Sequence, residues 1–211
     1  MNKRLFTSES ITEGHPDKVC DTIADSILDE LLKGDQNSRS ACEVAATTNL
    51  VLIMGEIATQ HKIDIDSVAR QAIKDIGYTH EDIGFDYANC EIMQKLNRQS
   101  PDIALGVDKS QEHKAGGKDY DLIGAGDQGM MYGYACNETA ELMPMPITLA
   151  HLLTKTLTDV RKRGEIAYLR PDGKAQVTVE YIGGEPKRVH TIVLSTQHED
   201  NISQATIRAD I

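Results

Sequence analysis

Residues 41–77 read ACEVAATTNLVLIMGEIATQHKIDIDSVARQAIKDIG, and this stretch decides the fold. Ala41 to Ala46 and Leu50 to Ala58 are apolar runs of strand length joined at Thr47-Thr48-Asn49, which suits a hairpin. After them Ile65, Val68, Ala69, Ala72, Ile73 and Ile76 recur at helical spacing, and Gly77 stops the helix. Working back, Val19, Ile23, Ile27, Leu28, Leu31 and Leu32 mark an earlier amphipathic helix with Pro16 at its first position and Gly34 at its end. The order is helix, hairpin, helix. It recurs farther on. Met130 to Ala135 reads as a strand, and Leu149, Leu152, Leu153, Leu157 and Val160 mark a helix ended by Gly164. Val177 to Tyr181 and Val189 to Ser195 form a hairpin around Gly183-Gly184, and Asn201 caps a last helix. The expected fold is α+β, made of repeated βαββα units whose sheets carry helices on one face. Residues 1–100 form an N-terminal repeat, 101–129 a linker, and 130–211 a central repeat that is incomplete at its C-terminus.

The chain has 211 residues, 40% of them hydrophobic, enough for one large or two small cores. No charged-then-apolar leader and no apolar run of membrane length occurs, so the expected location is the cytoplasm, without membrane contact. Cys20, Cys42, Cys90 and Cys136 are far apart and make no C-x-x-C pair, which favours reduced, buried, structural thiols over disulfides or zinc ligands. Asn137-Glu138-Thr139 and Asn201-Ile202-Ser203 match the glycosylation pattern but carry no meaning without secretion. A net charge of −11 and the lack of a basic patch argue against nucleic acid. An acidic chain that binds a polyphosphate must neutralise it locally, with bound cations and a few placed Lys or His side chains.

Gly14-His15-Pro16-Asp17-Lys18 supplies such groups. Free N–H groups and the helix dipole favour an anion at a helix N-terminus, and a carboxylate there can hold a divalent cation that bridges to phosphate. Alone, the motif reads equally as a capped surface helix. Gly124 to Gly129, GAGDQG, has the G-x-G-x-x-G spacing of a dinucleotide loop but not its context, since a polar loop precedes it and an alternating segment follows. The other histidines, His61, His80, His113, His151, His190 and His198, have no ligand spacing, and the seven methionines fall in apolar positions as core filler.

TSESITEGHPDK at 7–18, GEIAT at 55–59, RQSPDIALGVD at 98–108, GAGDQGMMYGYA at 124–135, LMPMPITLAH at 142–151, LRPDGKAQVTVEY at 169–181 and VLSTQH at 193–198 occur in one order. Together, across essentially the whole chain, they resemble S-adenosylmethionine synthetase, or methionine adenosyltransferase, of the bacterial type. The resemblance implies three intertwined α+β units. It also implies a transferase in which methionine sulfur attacks C5′ of ATP and the released triphosphate is cleaved to pyrophosphate and phosphate. Mg²⁺, two per site in the complete enzyme, and K⁺ are the implied cofactors, ATP and L-methionine the substrates, and a homo-oligomer, dimer or tetramer, the assembly. A thioether needs no general base, so catalysis must come from alignment and from stabilising the departing polyanion.

Residue by residue, the resemblance implies that His15 donates to the triphosphate near the breaking bond and that Asp17 holds Mg²⁺. Asp172, Gly173 and Lys174 belong to the ATP segment, with the lysine on phosphate; without the resemblance Asp-Gly-Lys reads as a turn before a strand. Glu43 is implied as a K⁺ ligand, although its alternation with Cys42 and Val44 suits an exposed Glu equally well. Glu56 and Gln99 are implied to bind methionine, Asp127 to stabilise the developing sulfonium, and the loop from Gln99 to Lys109 to gate the site. Gly116-Gly117 reads as a solvated excursion. The last helix reaches Ile211 with no glycine stop or closing strand, so the expectation is a chain truncated after the second of three repeats, inactive by itself. The alternative is a non-catalytic remnant that binds nucleotide or a partner subunit.

Overall fold

The computed structural model describes residues 2–98, 110–118, 122, 124 and 129–211. Along the chain the strands are β1 (Lys3–Ile11), β2 (Arg39–Thr47), β3 (Leu50–Ala58), β4 (Glu91–Asn97), β5 (Leu169–Ile182) and β6 (Glu185–His198). The helices are α1 (Pro16–Gly34), α2 (Ile65–Ile76), α3 (Gln111–Lys114), α4 (Met145–Lys162) and α5 (Gln204–Asp210). The strands form two three-stranded sheets, ordered β2-β3-β4 and β1-β5-β6.

The first sheet grows from the hairpin that the sequence announces. Thr47 pairs with Leu50, so Thr48 and Asn49 make a two-residue turn in which Asn49 takes a left-handed φ of 56°, a conformation Asn tolerates. α2 then carries the chain across to β4, which pairs parallel to β3. β4 escapes the sequence reading, because EIMQKLN alternates weakly and only Ile92 and Leu96 pack toward the core. α1 and α2 close one face of this sheet, burying Ile23, Ile27, Ile53 and Ile73 completely. Gly77 ends α2 with a left-handed φ of 113°, as a glycine C-cap should. Gly34 works differently: it is the last residue of α1, and a Cβ there would collide with the His61 ring, so close approach explains the glycine.

The second sheet takes its first strand from the other end of the chain. β1 pairs antiparallel with β5 along its whole length, from Lys3 opposite Ile182 to Ile11 opposite Lys174. A division at residue 100 therefore cuts across the strand pairing. With β1 on one side and β6 on the other, β5 runs from Leu169, and Asp172-Gly173-Lys174 lies inside this strand instead of in a turn before it. The irregularity that Gly173 brings survives as a register shift against β6 between Leu169 and Gly173. The hairpin at Gly183-Gly184 forms as expected, with φ of 65° and 92° at a two-residue turn.

Residues 130–135, expected as a strand, are irregular, with Met130 78% and Met131 91% exposed. Alternation supplies a face, but a strand also needs an edge to pair with. α4 covers β5 and β1, packing Leu149, Ala150 and Leu153 near Val177 and Val179. A polar seam fixes it laterally: Ser10 bonds His151 Nδ1 at 2.8 Å and Thr154 Oγ1 at 3.0 Å. Pro144 provides no side-chain cap for α4, and Glu138 substitutes by accepting from the Met145 N–H at 3.0 Å and the Tyr181 hydroxyl at 2.6 Å. α5 is capped by Ser203 instead of the expected Asn201. The four cysteines are free thiols, but only Cys90 is buried as expected; Cys20, Cys42 and Cys136 are partly exposed. Among the described residues no helix is long and apolar enough to cross a membrane.

Candidate functional site

The turn between β1 and α1 lies against the start of β5, and this meeting builds the site. Thr12 is buried; its N–H donates to the Gly173 carbonyl at 2.9 Å and its hydroxyl to the Pro171 carbonyl at 2.8 Å. Gly14 passes so close to Pro171 that a Cβ would overlap it. His15 is the N-cap of α1, its ring Nδ1 accepting from the Asp17 N–H at 3.3 Å. With Nδ1 an acceptor the ring proton sits on Nε2, which leaves an N–H donor at a helix N-terminus. The Asp17 side chain is 86% exposed and its Oδ2 lies 3.8 Å from His15 Nδ1.

Asp172 stands opposite. Burial raises its carboxyl above the ordinary range, and the positive charge His15 can carry opposes that shift. A cleft of about 350 Å³ opens between Gly14, Pro16, Thr48, Tyr78, Phe85 and Asp172. Two residues beyond Asp172, Lys174 Nζ sits 2.5 Å from Glu9 Oε2 on the sheet face turned away from α4, both side chains 44% exposed. Lys174, with Gln176 next, holds Glu9 below the usual carboxylate range. Any ligand that recruits Lys174 has to compete with Glu9, in a partly exposed and weak pair.

Residues 3–101 match the family model described as "S-adenosylmethionine synthetase, N-terminal domain", and residues 122–211 the one described as "S-adenosylmethionine synthetase, central domain". The S-adenosylmethionine synthase of Clostridium botulinum (strain Alaska E43 / Type E3) is 56% identical over 210 residues, which are 99% of this chain and 54% of that relative. The chain belongs to the S-adenosylmethionine synthetase family. It spans about half the length of the curated relative it matches.

Within this member of the S-adenosylmethionine synthetase family, His15, Asp17, Asp172, Gly173 and Lys174 gather where β1 and α1 meet β5. Glu43 and Glu56 do not join them. Both are exposed on the face of the first sheet opposite α1 and α2, where Glu56 pairs with Ala41 two residues from Glu43, and neither bonds to the His15 group. Gly55 takes a φ of 122° and a Cβ there would strike the Ala41 carbonyl, so glycine is required beside Glu56. Gln99, Asp127 and the loop 99–109 lie outside the described residues. Sequence reasoning overlooked Glu9, Glu13, Tyr78 and Arg161. Glu9 and Glu13 fall inside TSESITEGHPDK, and their presence in that string was the available signal; Tyr78 and Arg161 gave none.

Proposed function

We propose that this chain supplies one part of a methionine adenosyltransferase site: sulfur attack on C5′ of ATP, release of triphosphate, and its hydrolysis to pyrophosphate and phosphate. The observation that carries this reading is that the His15 N-cap and Lys174 are held at the same end of the β1–β5 pairing, a donor and a cation for one polyanion. His15 Nε2–H donates to the oxygen on which charge appears as the C5′–O bond breaks. Lys174 leaves Glu9 for phosphate, Asp172 and Gly173 border the nucleoside, and Glu56 with Gln99 holds methionine. Asp127 stabilises the developing sulfonium.

Asp17 suits Mg²⁺, which takes one or two carboxylates and completes its shell with phosphate oxygens and water; among the described residues no cluster of three or more acidic, His or Cys side chains makes a closed cage. The ion would neutralise leaving-group charge. Glu43 offers a single carboxylate on an open sheet face, which does not make a K⁺ cage, so no step runs through potassium. The place of Glu43 and Glu56 on the sheet face opposite α1 and α2 fits a site completed by a second copy. Leu52, Met54 and Met93 on the same sheet face, with Met54 38% and Met93 49% exposed, support pairing of copies there.

The test is methionine-dependent triphosphate release, measured for this chain and for the chain extended by the part of the C. botulinum relative that it does not cover. The extended protein is expected to turn over, and the chain alone to fall on the order of 10³-fold or more below it for want of counter-charges. No turnover by either protein would overturn the activity. Turnover of the chain within about tenfold of the extended protein would show that the rest is dispensable. The half-length coverage favours, as a second reading, a chain that binds nucleotide or a partner subunit without turnover.

A further inference from the structure

We propose that Tyr78 and Arg161 are positioning residues for His15, holding the two residues that precede it from two directions, Tyr78 at the Gly14 carbonyl and Arg161 at the Glu13 carboxylate. Calling His15 the phosphate donor rests on the proposed function; the clamp itself rests on geometry. Tyr78 is 6% exposed, and its hydroxyl donates to the Gly14 carbonyl at 2.5 Å. Its ring is held edge-on against Phe85, with centroids 5.1 Å apart at 88°. Arg161, at the end of α4, has a side chain only 12% exposed. One guanidinium nitrogen donates to Glu13 Oε1 at 2.5 Å and to the Ile76 carbonyl, the unpaired end of α2, at 2.7 Å. Gly77 leaves the room this guanidinium occupies, because a Cβ there would overlap Arg161. Lys162 takes the other Glu13 oxygen at 2.8 Å, and Pro171 closes the remaining side of Gly14.

Three elements that are remote in sequence thus converge on Glu13 and Gly14. The His15 ring makes one bond to a neighbouring amide, so the direction of its Nε2 is set by the backbone beneath it. That backbone lies outside the β1–β5 ladder: it is the corner between a strand and a helix, closed by the His15 N–H donating to the Thr12 carbonyl at 3.2 Å. Side chains from α4 and from the end of α2 take the place of a ladder. Misplacing a reacting group by about 1 Å can cost on the order of 10²-fold in rate, which gives such a clamp its value.

Hydrogen exchange on this chain, compared with Tyr78→Phe and Arg161→Lys, tests the clamp without any assay. The Phe variant removes one hydroxyl and leaves the packing. The Lys variant keeps the charge but loses the planar guanidinium that fills the space beside Gly77. Exchange at the His15, Asp17 and Val19 amides is expected to accelerate about tenfold in the Phe variant and less in the Lys variant, with Ile27 and Val177 unchanged. Unchanged corner amides, or a uniform acceleration through both sheets, would overturn the proposal. In the extended protein, Tyr78→Phe is expected to lower kcat about tenfold with the methionine KM within about twofold, and to cost under about twofold once His15→Asn is present. Equal losses in both backgrounds would overturn it too. An extended wild type without turnover would sink the proposed activity and leave the exchange contrast to decide the clamp.

Discussion

Two helices close the first sheet and one closes the second, and the cores differ accordingly. Twelve buried apolar residues from Val19 to Cys90 pack between α1, α2 and β2-β3-β4, whereas Ala150, Val177 and Val179 are the fully buried centre under α4. On β6 the same face stays open, with Ile192 52% and Val189 41% exposed. An apolar face contributes to stability only where something covers it, so most of the hydrophobic stabilisation resides in the first unit. The second borrows from the first: its edge strand is β1, and the Glu13–Arg161 and Arg170–Asp82 ion pairs tie the two together.

The comparison breaks most readily in the first core. Ile27→Ala, at a fully buried position under α1, is expected to cost about 3 kcal/mol, read from the urea midpoint of this chain. If Ile27→Ala costs less than Val179→Ala, the first unit is not the stronger one. Val179→Ala removes less from a smaller core, and about 2 kcal/mol is expected. Its signature is local: exchange should quicken in β1, β5 and β6 before β2, β3 and β4, and simultaneous opening of both sheets would show that they fold as one unit.

Smaller effects sharpen the picture at the junction. Burial raises the Asp172 carboxyl above its ordinary value of 3.8, so the folded state holds this proton more tightly than the unfolded chain. The penalty therefore grows as pH climbs from about 3.8 through the folded value and is complete above it. Asp172→Asn is expected to raise the melting temperature by about 2 °C at pH 7, with the gain vanishing as the pH drops toward the ordinary carboxylate value. A lower melting temperature at pH 7 would mean that pairing with His15 outweighs burial. Least of all, Ile192→Thr on the open face of β6 should change stability by no more than about 0.5 kcal/mol in the same denaturation. A loss above about 2 kcal/mol would show that this face is covered in solution.

Much of the first unit was legible because its signals are local. The apolar spacing of α1 and α2, the turn at Thr48-Asn49 and the cap at Gly77 are each set within a few residues. The place of His15 and Asp17 at a helix N-terminus was legible for the same reason, since Pro16 and the periodicity after it announce a helix start. β4 was not, because its alternation is weak and its partner β3 lies across a helix. Residues 130–135 misled in the other direction, an alternating run that pairs with no strand among the described residues.

By itself, then, the sequence determined the α+β class, the main helices and hairpins, and a family resemblance that the comparisons bear out. Those properties follow from residue type and spacing along a short stretch. Only the tertiary structure decided that β1 crosses to β5, that Asp172-Gly173-Lys174 lies in a strand, and that Tyr78 and Arg161 converge on the corner before His15. The Tyr78–Gly14 and Arg161–Glu13 bonds join residues 64 and 148 positions apart, and no local pattern can encode a partner at such a distance. Their pairing is chosen by which surfaces remain to be buried once the local elements exist.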